Sequence, residues 1–224
     1  MSSSAVQADE ILEMRARQSL GSSEEAIYRT VATLVDERGA TGLLVDVGCG
    51  TGNLWRALAS RFSACIGIDA VRYERLPEGV RFSQADLDRD RLPIEDGTAD
   101  VAAAVETIEH LENPRALVRE LTRVTRPCGW VIVTTPNQLS ALSLLTLVVK
   151  QRFSAFQDGS YPAHRTALLE IDLRRMAAEN GLVDVHVRFT SRGRVPLTGA
   201  HYPAVLARWY PRALSDNVVL IARK

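Results

Sequence analysis

A stretch of apolar residues runs directly into a glycine-rich turn at residues 44–54, and this feature constrains the fold more than any other. It reads Leu-Val-Asp-Val-Gly-Cys-Gly-Thr-Gly-Asn-Leu, with glycine at every second position of the turn. A residue without a Cβ adopts positive φ and lets main-chain N–H groups come close to a ligand. A strand, a glycine turn and a helix in this order predict an α/β fold whose turn holds a nucleotide-like ligand.

The spacing of these glycines separates the classes of nucleotide-binding turn. Dinucleotide-binding folds carry G-x-G-x-x-G, and nucleoside triphosphatase loops end in a phosphate-binding lysine. This chain has G-x-G-x-G and no lysine after it. Preceded by Asp46, the turn resembles the first motif of the class I S-adenosylmethionine-dependent methyltransferases. The resemblance implies that S-adenosylmethionine is the cofactor and that the turn contacts it through six residues: Asp46, Gly48, Cys49, Gly50, Gly52 and Asn53.

Strand and helix patterns alternate along the rest of the chain. Predicted strands cover residues 43–47, 64–69, 80–84, 101–105, 130–135, 183–190 and 217–222, and predicted helices cover 53–61, 114–125 and 166–179. A further helix opens with a capping box of Ser22 and Glu25 and ends at Gly39. The sequence therefore predicts a doubly wound, mostly parallel seven-stranded sheet with helices on both faces. A C-terminal antiparallel hairpin is what the resemblance implies.

Residues 22–224 are expected to form a single domain. Two segments do not follow the alternation of strands and helices, one before this domain and one inside it. Residues 1–21 are predicted to be either a flexible arm or a small helix over the cofactor site. Residues 137–165 form a lid-like insert, whose apolar run at 139–149 is interpreted as a buried lid helix or as the wall of a channel for a hydrophobic substrate. Either interpretation places this run over the pocket.

Composition supports an ordinary globular domain. The chain has 224 residues, of which 46% are hydrophobic and 24% charged, enough to bury a full core. It shows no secretory signal, and its longest apolar run is too short to span a membrane, so a cytoplasmic protein is expected. The odd number and wide spacing of Cys49, Cys65 and Cys128 predict reduced, buried thiols rather than disulfides or a zinc site.

The net charge of zero conceals an asymmetry. Residues 1–140 carry a net charge of −6 and residues 141–224 a net charge of +6. Much of the basic part is contributed by five arginines in the last third: Arg188, Arg192, Arg194, Arg208 and Arg212. Two interpretations stay open, an anionic substrate such as a phosphorylated sugar, a carboxylate or a nucleic-acid end, and an ordinary solvated surface.

Acidic residues follow successive predicted strands. Asp69 ends the second strand, about twenty residues after the glycine turn, where a carboxylate accepts hydrogen bonds from ribose hydroxyls. Asp86 and Leu87 follow the third strand and resemble the adenine-binding step of the methyltransferase family. The resemblance also places Asp46 at the methionine end of the cofactor and Glu106 among the cofactor-binding residues.

The candidate chemical groups follow the fourth strand. In one helical turn Glu106, Glu109 and His110 share a face, and His164 lies in the segment after the neighbouring fifth strand. Two carboxylates and two imidazoles at one point are predicted to form a divalent-metal site for Mg, Mn or Zn. The alternatives are that His110 acts as a metal-free general base oriented by Glu109, or that it only packs a turn. The catalytic candidates are Glu109, His110 and His164.

The E-x-x-E-H sequence, the T-P-N at 135–137 and a later histidine resemble two groups, the ubiquinone-pathway O-methyltransferases and the small-RNA 2′-O-methyltransferases. This resemblance implies O-methylation of a hydroxyl, either on a small molecule or glycan-like intermediate or on RNA. The bulky aromatic residue usual in these groups a few positions after the histidine is missing from residues 165–169, which follow His164. A regulator that binds the cofactor without transferring a methyl group is the hypothesis from another class. The sequence does not indicate the oligomeric state.

Overall fold

The computed structural model describes residues 21–224, so the arm predicted over residues 1–21 lies, except for Gly21, outside the described residues. The α-helices are α1 (Glu25–Glu37), α2 (Asn53–Leu58), α3 (Pro114–Val124), α4 (Ala141–Lys150), α5 (Glu170–Glu179) and α6 (Ala204–Trp209). The strands are β1 (Gly42–Val47), β2 (Phe62–Asp69), β3 (Val80–Gln84), β4 (Ala99–Ala104), β5 (Thr125–Pro136), β6 (Val183–Phe189) and β7 (Asn217–Arg223). Short 3₁₀ turns lie at Ile108–His110 and Asp158–Ser160.

The seven strands form one sheet in the order β3-β2-β1-β4-β5-β7-β6. The first five strands are parallel, and β7 lies antiparallel between β5 and β6. The predicted doubly wound sheet and its C-terminal antiparallel pair are confirmed. The strand order reverses between β1 and β4, and in such sheets ligands bind outside the carboxyl ends of the strands at this reversal.

The sheet is buried on both faces, because the apolar side chains of each strand alternate between two helical layers. In β4, Ala102 and Ala104 pack in a cluster with α3 and α5, whereas Val101 and Ala103 pack in a cluster with α1 and α2. The uninterrupted apolar character of these strands follows from this burial on two sides. The sheet is therefore a rigid base for the residues that follow its strands.

Three predicted helix ends differ from the structure, because tertiary contacts compete for the terminal residues. Helix α1 begins at Glu25 with Glu24 as its N-cap, and no Ser22 capping box forms. Helix α5 begins at Glu170 rather than 166, because the N–H groups of residues 165 and 166 both donate to the Glu109 carbonyl. Helix α2 ends at Leu58, one turn early. The irregular crossover expected at residues 70–79 is confirmed.

Two burial expectations are wrong. Cys49 and Cys65 are buried as expected, but Cys128 is exposed, because it lies near the solvent-exposed start of β5, which begins five residues earlier than the sequence predicts. The helix predicted in the insert forms as α4, yet Ser143 is its one buried residue, since only that edge of the helix rests on the domain.

Candidate active site

The glycine turn after β1 fits closely against its surroundings. The Gly48 N–H donates to the carbonyl of Ile68 in β2 at 2.7 Å. Gly48 and Gly50 have φ values of 75° and 50°. A Cβ on Gly48 would lie 2.2 Å from the hydroxyl of Thr107, and one on Gly50 would lie 2.2 Å from the carbonyl oxygen of Gly21. Both positions therefore require glycine for backbone conformation and for space.

A cavity of about 720 Å³ opens beside this turn. Its walls come from parts of residues 21–28, the ends of β1, β2 and β4, the chain after β3, residues 109–111, parts of 154–164, residue 194 and residues 216–217. Ligand sites of drug-sized molecules have volumes of about 300–1,000 Å³. The cavity thus lies where a doubly wound sheet binds its ligand and has room for a nucleoside-sized molecule and an acceptor.

The expectation that the apolar run at 139–149 covers the pocket is wrong. The described lining contains no residue of α4, whereas Ser154, Ala155, Ser160 and His164 from the chain after it do line the cavity. Helix α4 turns its apolar side chains to solvent, so the polar second half of the insert forms this wall.

Two carboxylates at strand ends face the cavity. Asp46 is 2% exposed, and burial raises its pKa to about 7, with the charge of Asp69 contributing to the rise. Asp69 accepts hydrogen bonds from the N–H groups of Gly50 at 2.8 Å and Ala70 at 2.7 Å, while burial raises its pKa. Because ionising both acids here is costly, a ligand that carries positive charge would stabilise them.

The loop after β3 brings the predicted adenine-binding residues to the same cavity. Asp86 accepts from the N–H of Asp88 at 3.0 Å, and its own N–H donates to Asp90 at 2.8 Å. Asp86 and Leu87 both line the cavity. These hydrogen bonds within the loop determine its path.

Eight of the ten predicted cofactor residues line the cavity, namely Asp46, Gly48, Cys49, Gly50, Asp69, Asp86, Leu87 and Glu106. Gly52 and Asn53 do not. A Cβ on Gly52 would meet Pro77 at 2.4 Å, so this glycine serves packing beneath the turn. The side-chain oxygen of Asn53 accepts from Arg56 at 2.9 Å.

The structure brings together three of the four predicted metal ligands. One possible ligand atom from each of Glu109, His110 and His164 lies within 4.8 Å of the others. The two imidazole rings meet edge to face with centroids 4.8 Å apart. In the tautomer protonated at Nδ1, His110 donates to the carbonyl of Ala163 at 2.9 Å and His164 to that of Ala155 at 2.7 Å. Metal-binding histidines are commonly oriented by such second hydrogen bonds.

Glu109 is the buried acid of this cluster. It is 1% exposed, and its Oε2 is a buried oxygen with no hydrogen-bond partner among residues 21–224. Burial raises its pKa well above the ordinary value, and the charge of Glu106 adds to the rise. Burial also lowers the pKa of His164, so this ring is a neutral nitrogen donor near pH 7. A neutral imidazole and an oxygen without a partner are suited to a cation.

Glu106, the fourth predicted ligand, is held away from this cluster. Its backbone has φ of 50°, a strained value for a residue with a side chain. Thr134 donates to Oε1 at 2.8 Å and Asn217 donates to Oε2 at 2.7 Å. Burial raises the pKa of Glu106 to about 7, against these two donors. The carboxylate therefore forms a separate polar wall of the cavity.

Several wall residues are not identified by sequence reasoning. Glu24 and Tyr28 come from the start of α1, and Asp216 and Asn217 come from the start of β7. None belongs to a motif, and they reach the cavity because α1 and β7 both border the carboxyl end of the sheet. The need of the Glu106 carboxylate for a hydrogen-bond donor is the signal that points to Asn217, since buried charges require partners.

The basic last third does not make the cavity basic. Arg188 and Arg212 pair with acids of α1 and α5 at 2.8 and 2.6 Å. Arg194 lines the cavity but pairs with Asp216 at 2.7 Å. Within residues 21–224 the lining contains eight carboxylates, namely Glu24, Asp46, Asp69, Asp86, Asp88, Glu106, Glu109 and Asp216. The site is strongly acidic.

A glycine cradle, strand-end carboxylates and a reversal of strand order between β1 and β4 define a nucleotide-type site of the Rossmann-like methyltransferase fold. A family model described as "Methyltransferase domain" matches residues 19–187. The chain belongs to the class I S-adenosylmethionine-dependent methyltransferases, which confirms the resemblance.

Relatives and solved structures agree with this family. A ubiquinone biosynthesis O-methyltransferase of Leptothrix cholodnii is 25% identical over 81% of this chain and 77% of its own length. The tocopherol O-methyltransferase of Arabidopsis thaliana is 36% identical over 50% of this chain, and the match spans 35% of that enzyme's length. A SAM-dependent methyltransferase from Archaeoglobus fulgidus has the same fold, with a TM-score of 0.64 at 16% identity, covering 92% of this chain and 97% of that one.

No helix between residues 21 and 224 is long and apolar enough to cross a membrane.

Proposed function

We propose that this protein transfers a methyl group from S-adenosylmethionine to a hydroxyl of a small, uncharged acceptor, such as a phenol or a glycan-like intermediate. The observation that supports it best is the position of Glu109, His110 and His164 in the same cavity as the glycine cradle and Asp69. This arrangement provides proton-accepting or ligating groups beside a cofactor site. The relatives named O-methyltransferases support the same reaction.

Each carboxylate is assigned to a different part of the cofactor. Asp69 accepts from ribose hydroxyls, and Asp86 with the Leu87 N–H recognises adenine, as the family resemblance implies. Asp46 faces the methionine end, where a positive charge would lower its raised pKa. S-adenosylmethionine supplies an activated methyl group on a sulfonium, so the protein chiefly aligns the acceptor oxygen and removes its proton.

The groups around Glu109 fit two ways of removing that proton. With a divalent ion, the Glu109 carboxylate and the nitrogens of His110 and His164 would hold it, and the ion would lower the pKa of a hydroxyl bound to it. The oxygen of Glu109 without a partner and the oriented histidines fit such an ion. Without an ion, the Nε2 of His110 would accept the proton, and the Ala163 carbonyl bound at Nδ1 would orient the ring.

The acidity of the lining selects the acceptor class. Eight carboxylates and one arginine that is already paired would repel a phosphate or a carboxylate of the acceptor. An uncharged polyol or phenol is compatible, because carboxylates accept hydrogen bonds from hydroxyls.

The test measures S-adenosylhomocysteine released by purified protein from matched acceptors. We expect turnover with uncharged phenols and glycosides and at least about tenfold lower kcat/KM with their phosphorylated or carboxylated counterparts. His110→Ala and Glu109→Gln should lose turnover while binding S-adenosylmethionine normally, and Glu112→Gln, an exposed acid one turn away, should retain both. Normal turnover by the first two variants would contradict the catalytic assignment.

Methylation of a ribose 2′-hydroxyl in RNA is a second candidate, favoured by the same histidine and glutamate cluster. Its signature would be turnover with RNA that falls steeply with added salt, because phosphate contacts release counterions. Salt-insensitive turnover with an uncharged acceptor would exclude it.

A further inference from the structure

Two short helices outside the cavity expose large apolar side chains on one face each. In α4 and α6 the exposed residues come in adjacent pairs, and each pair is repeated four residues later, so that the side chains share one helical face. We call them the apolar patch: Leu144, Leu145, Val148, Val149, Val205, Leu206, Trp209 and Tyr210. Their exposed fractions run from 42% to 80%. Clustered exposure of this kind on a protein surface marks an interaction site.

One loop joins the two helices. The first N–H of α4, at Ala141, donates to the carbonyl of Ala213 at 2.7 Å. Leu214 in turn donates to the carbonyl of Tyr210, just after the last turn of α6, at 3.0 Å. The start of α4 and the end of α6 are thus connected through the loop at 211–215, so the two parts of the patch adjoin the same loop.

The segments that carry the patch contain no acidic residue. Residues 137–157 and 185–215 have no Asp or Glu but seven basic residues. Lys150 ends α4, and Arg208 lies between the exposed residues of α6. Neither forms an ion pair within residues 21–224, unlike Arg194 and Arg212, which pair with acids elsewhere. The patch therefore combines apolar side chains with available positive charge.

This combination identifies the partner. Aliphatic residues with Trp and Tyr beside Lys and Arg are typical of helices that lie in the interface of a bilayer with anionic headgroups. A second copy of the same face would bring like charges together, and single-stranded RNA would need stacked aromatic rings rather than rows of Leu and Val.

We propose that the apolar patch docks this protein on a lipid surface that carries anionic headgroups, without crossing it. The geometry also connects the surface with the site. The chain leaves α4 and within a few residues contributes Ser154 and Ala155 to the cavity wall, and Arg194 precedes α6 in the other segment. Docking would thus bring lipid close to segments that wall the cavity.

The experiment is co-sedimentation of the full chain with vesicles of phosphatidylcholine, alone or with about one third phosphatidylglycerol, at about 0.15 M salt. We expect binding to the anionic vesicles and little to the neutral ones. Trp209→Ser should weaken the partition about tenfold, and Arg208→Gln about fivefold, because each basic residue at an anionic surface contributes to binding.

Matched substitutions away from the patch are the controls. Ile171→Ser removes an apolar side chain that is 45% exposed on α5, and Arg119→Gln removes an exposed arginine on α3. Both should bind as the unchanged chain does.

Absence of binding to anionic vesicles, or equal binding by patch and control variants, would overturn the proposal. A concentration-dependent dimer or an RNA complex that Trp209→Ser abolishes, without vesicle binding, would assign the patch to that other partner instead. The assay involves no methyl transfer, so its result is independent of the proposed reaction.

Discussion

The side-chain amide of Asn217 donates to the carboxylate of Glu106 across 2.7 Å, and so connects the final strand of the chain to the end of β4. Thr134 of β5 donates to the other carboxylate oxygen and also accepts the Glu106 N–H, both at 2.8 Å. A backbone with φ of 50° is thereby held in place beside the cavity. The insertion of β7 next to β5 is what places Asn217 there.

Asn217→Ala should destabilise the fold in a manner that depends on pH. The pKa of Glu106 is raised to about 7, so the lost donor matters most above that pH, where the carboxylate is ionised. We expect a loss of about 2 kcal/mol in the free energy of unfolding near pH 8 and a smaller loss near pH 5.5. Denaturant unfolding at both pH values measures it. Asn180→Ala is the control, because its amide donates to a backbone carbonyl at 2.7 Å and its cost should not vary with pH.

Asp46→Asn should stabilise the cofactor-free protein at high pH and weaken cofactor binding. The folded pKa of Asp46 lies near 7, above its unfolded value, so the folded state binds more protons and stability falls as pH rises through this interval. Above it, the buried charge costs a few kcal/mol, roughly 1.4 for each pKa unit. Thermal unfolding at about pH 4.5 and pH 8 should show a gain for the variant only at pH 8.

The same substitution tests the electrostatic role of Asp46. Because S-adenosylmethionine is positively charged, its affinity for the unchanged protein should rise with pH through about 7, and the variant should lose this dependence. Calorimetric titration measures both. Asp36→Asn is the control, since that exposed acid pairs with Arg61 and its pKa is lowered rather than raised.

Gly50→Ala should abolish cofactor binding. The added Cβ would lie 2.2 Å from the Gly21 carbonyl oxygen at a position with φ of 50°. Gly39→Ala is a matched control, because Gly39 has φ of 57° and open space around it. We expect both to lose about 1–2 kcal/mol of stability from strain. Gly50→Ala should lose more because of the added clash, and only this variant should lose S-adenosylmethionine affinity. Equal affinity in the two variants would refute the close fit of the turn.

Glu109→Gln and His164→Ala should distinguish the metal-assisted mechanism from the metal-free one. If Glu109, His110 and His164 hold a divalent ion, titration with Mn²⁺ should show one site whose affinity falls about 10- to 100-fold or more in either variant. His186→Ala, on the exposed face of β6, should leave that affinity unchanged. Full turnover in the presence of a chelator, with loss of turnover in His110→Ala, would favour the metal-free base.

The thiols should react in two groups. Cys128 is exposed, whereas Cys49 and Cys65 are buried and burial raises the pKa of both thiols. A disulfide reagent near pH 8 should titrate one thiol in the native protein and the other two after unfolding. Cys128→Ser should remove the fast reaction, and a fast reaction that persists would place a second thiol at the surface.

Much of this site is predictable from short sequence patterns alone. The glycine turn, Asp69 and Asp86 follow strands, and the carboxyl ends of parallel strands meet at one edge of the sheet. Glu109 and His110 are close in sequence, so their proximity needed only a turn. The order of strands and helices followed from apolar periodicity, because the sheet is buried on both faces.

Contacts between distant segments determine the features of the site that the sequence does not predict. The separation of Glu106 from Glu109, His110 and His164 depends on Thr134 and Asn217, which lie 28 and 111 residues away from it along the chain. The sequence shows an apolar run at 139–149, but only the packing of α4 on the domain decides that it faces solvent. The acidity of the cavity likewise results from carboxylates of eight separate positions meeting, while Arg188 and Arg212 pair outside the cavity and Arg194 pairs with Asp216. Sequence patterns encode periodicity and local turns, and which side chains meet across the sheet is decided by tertiary packing.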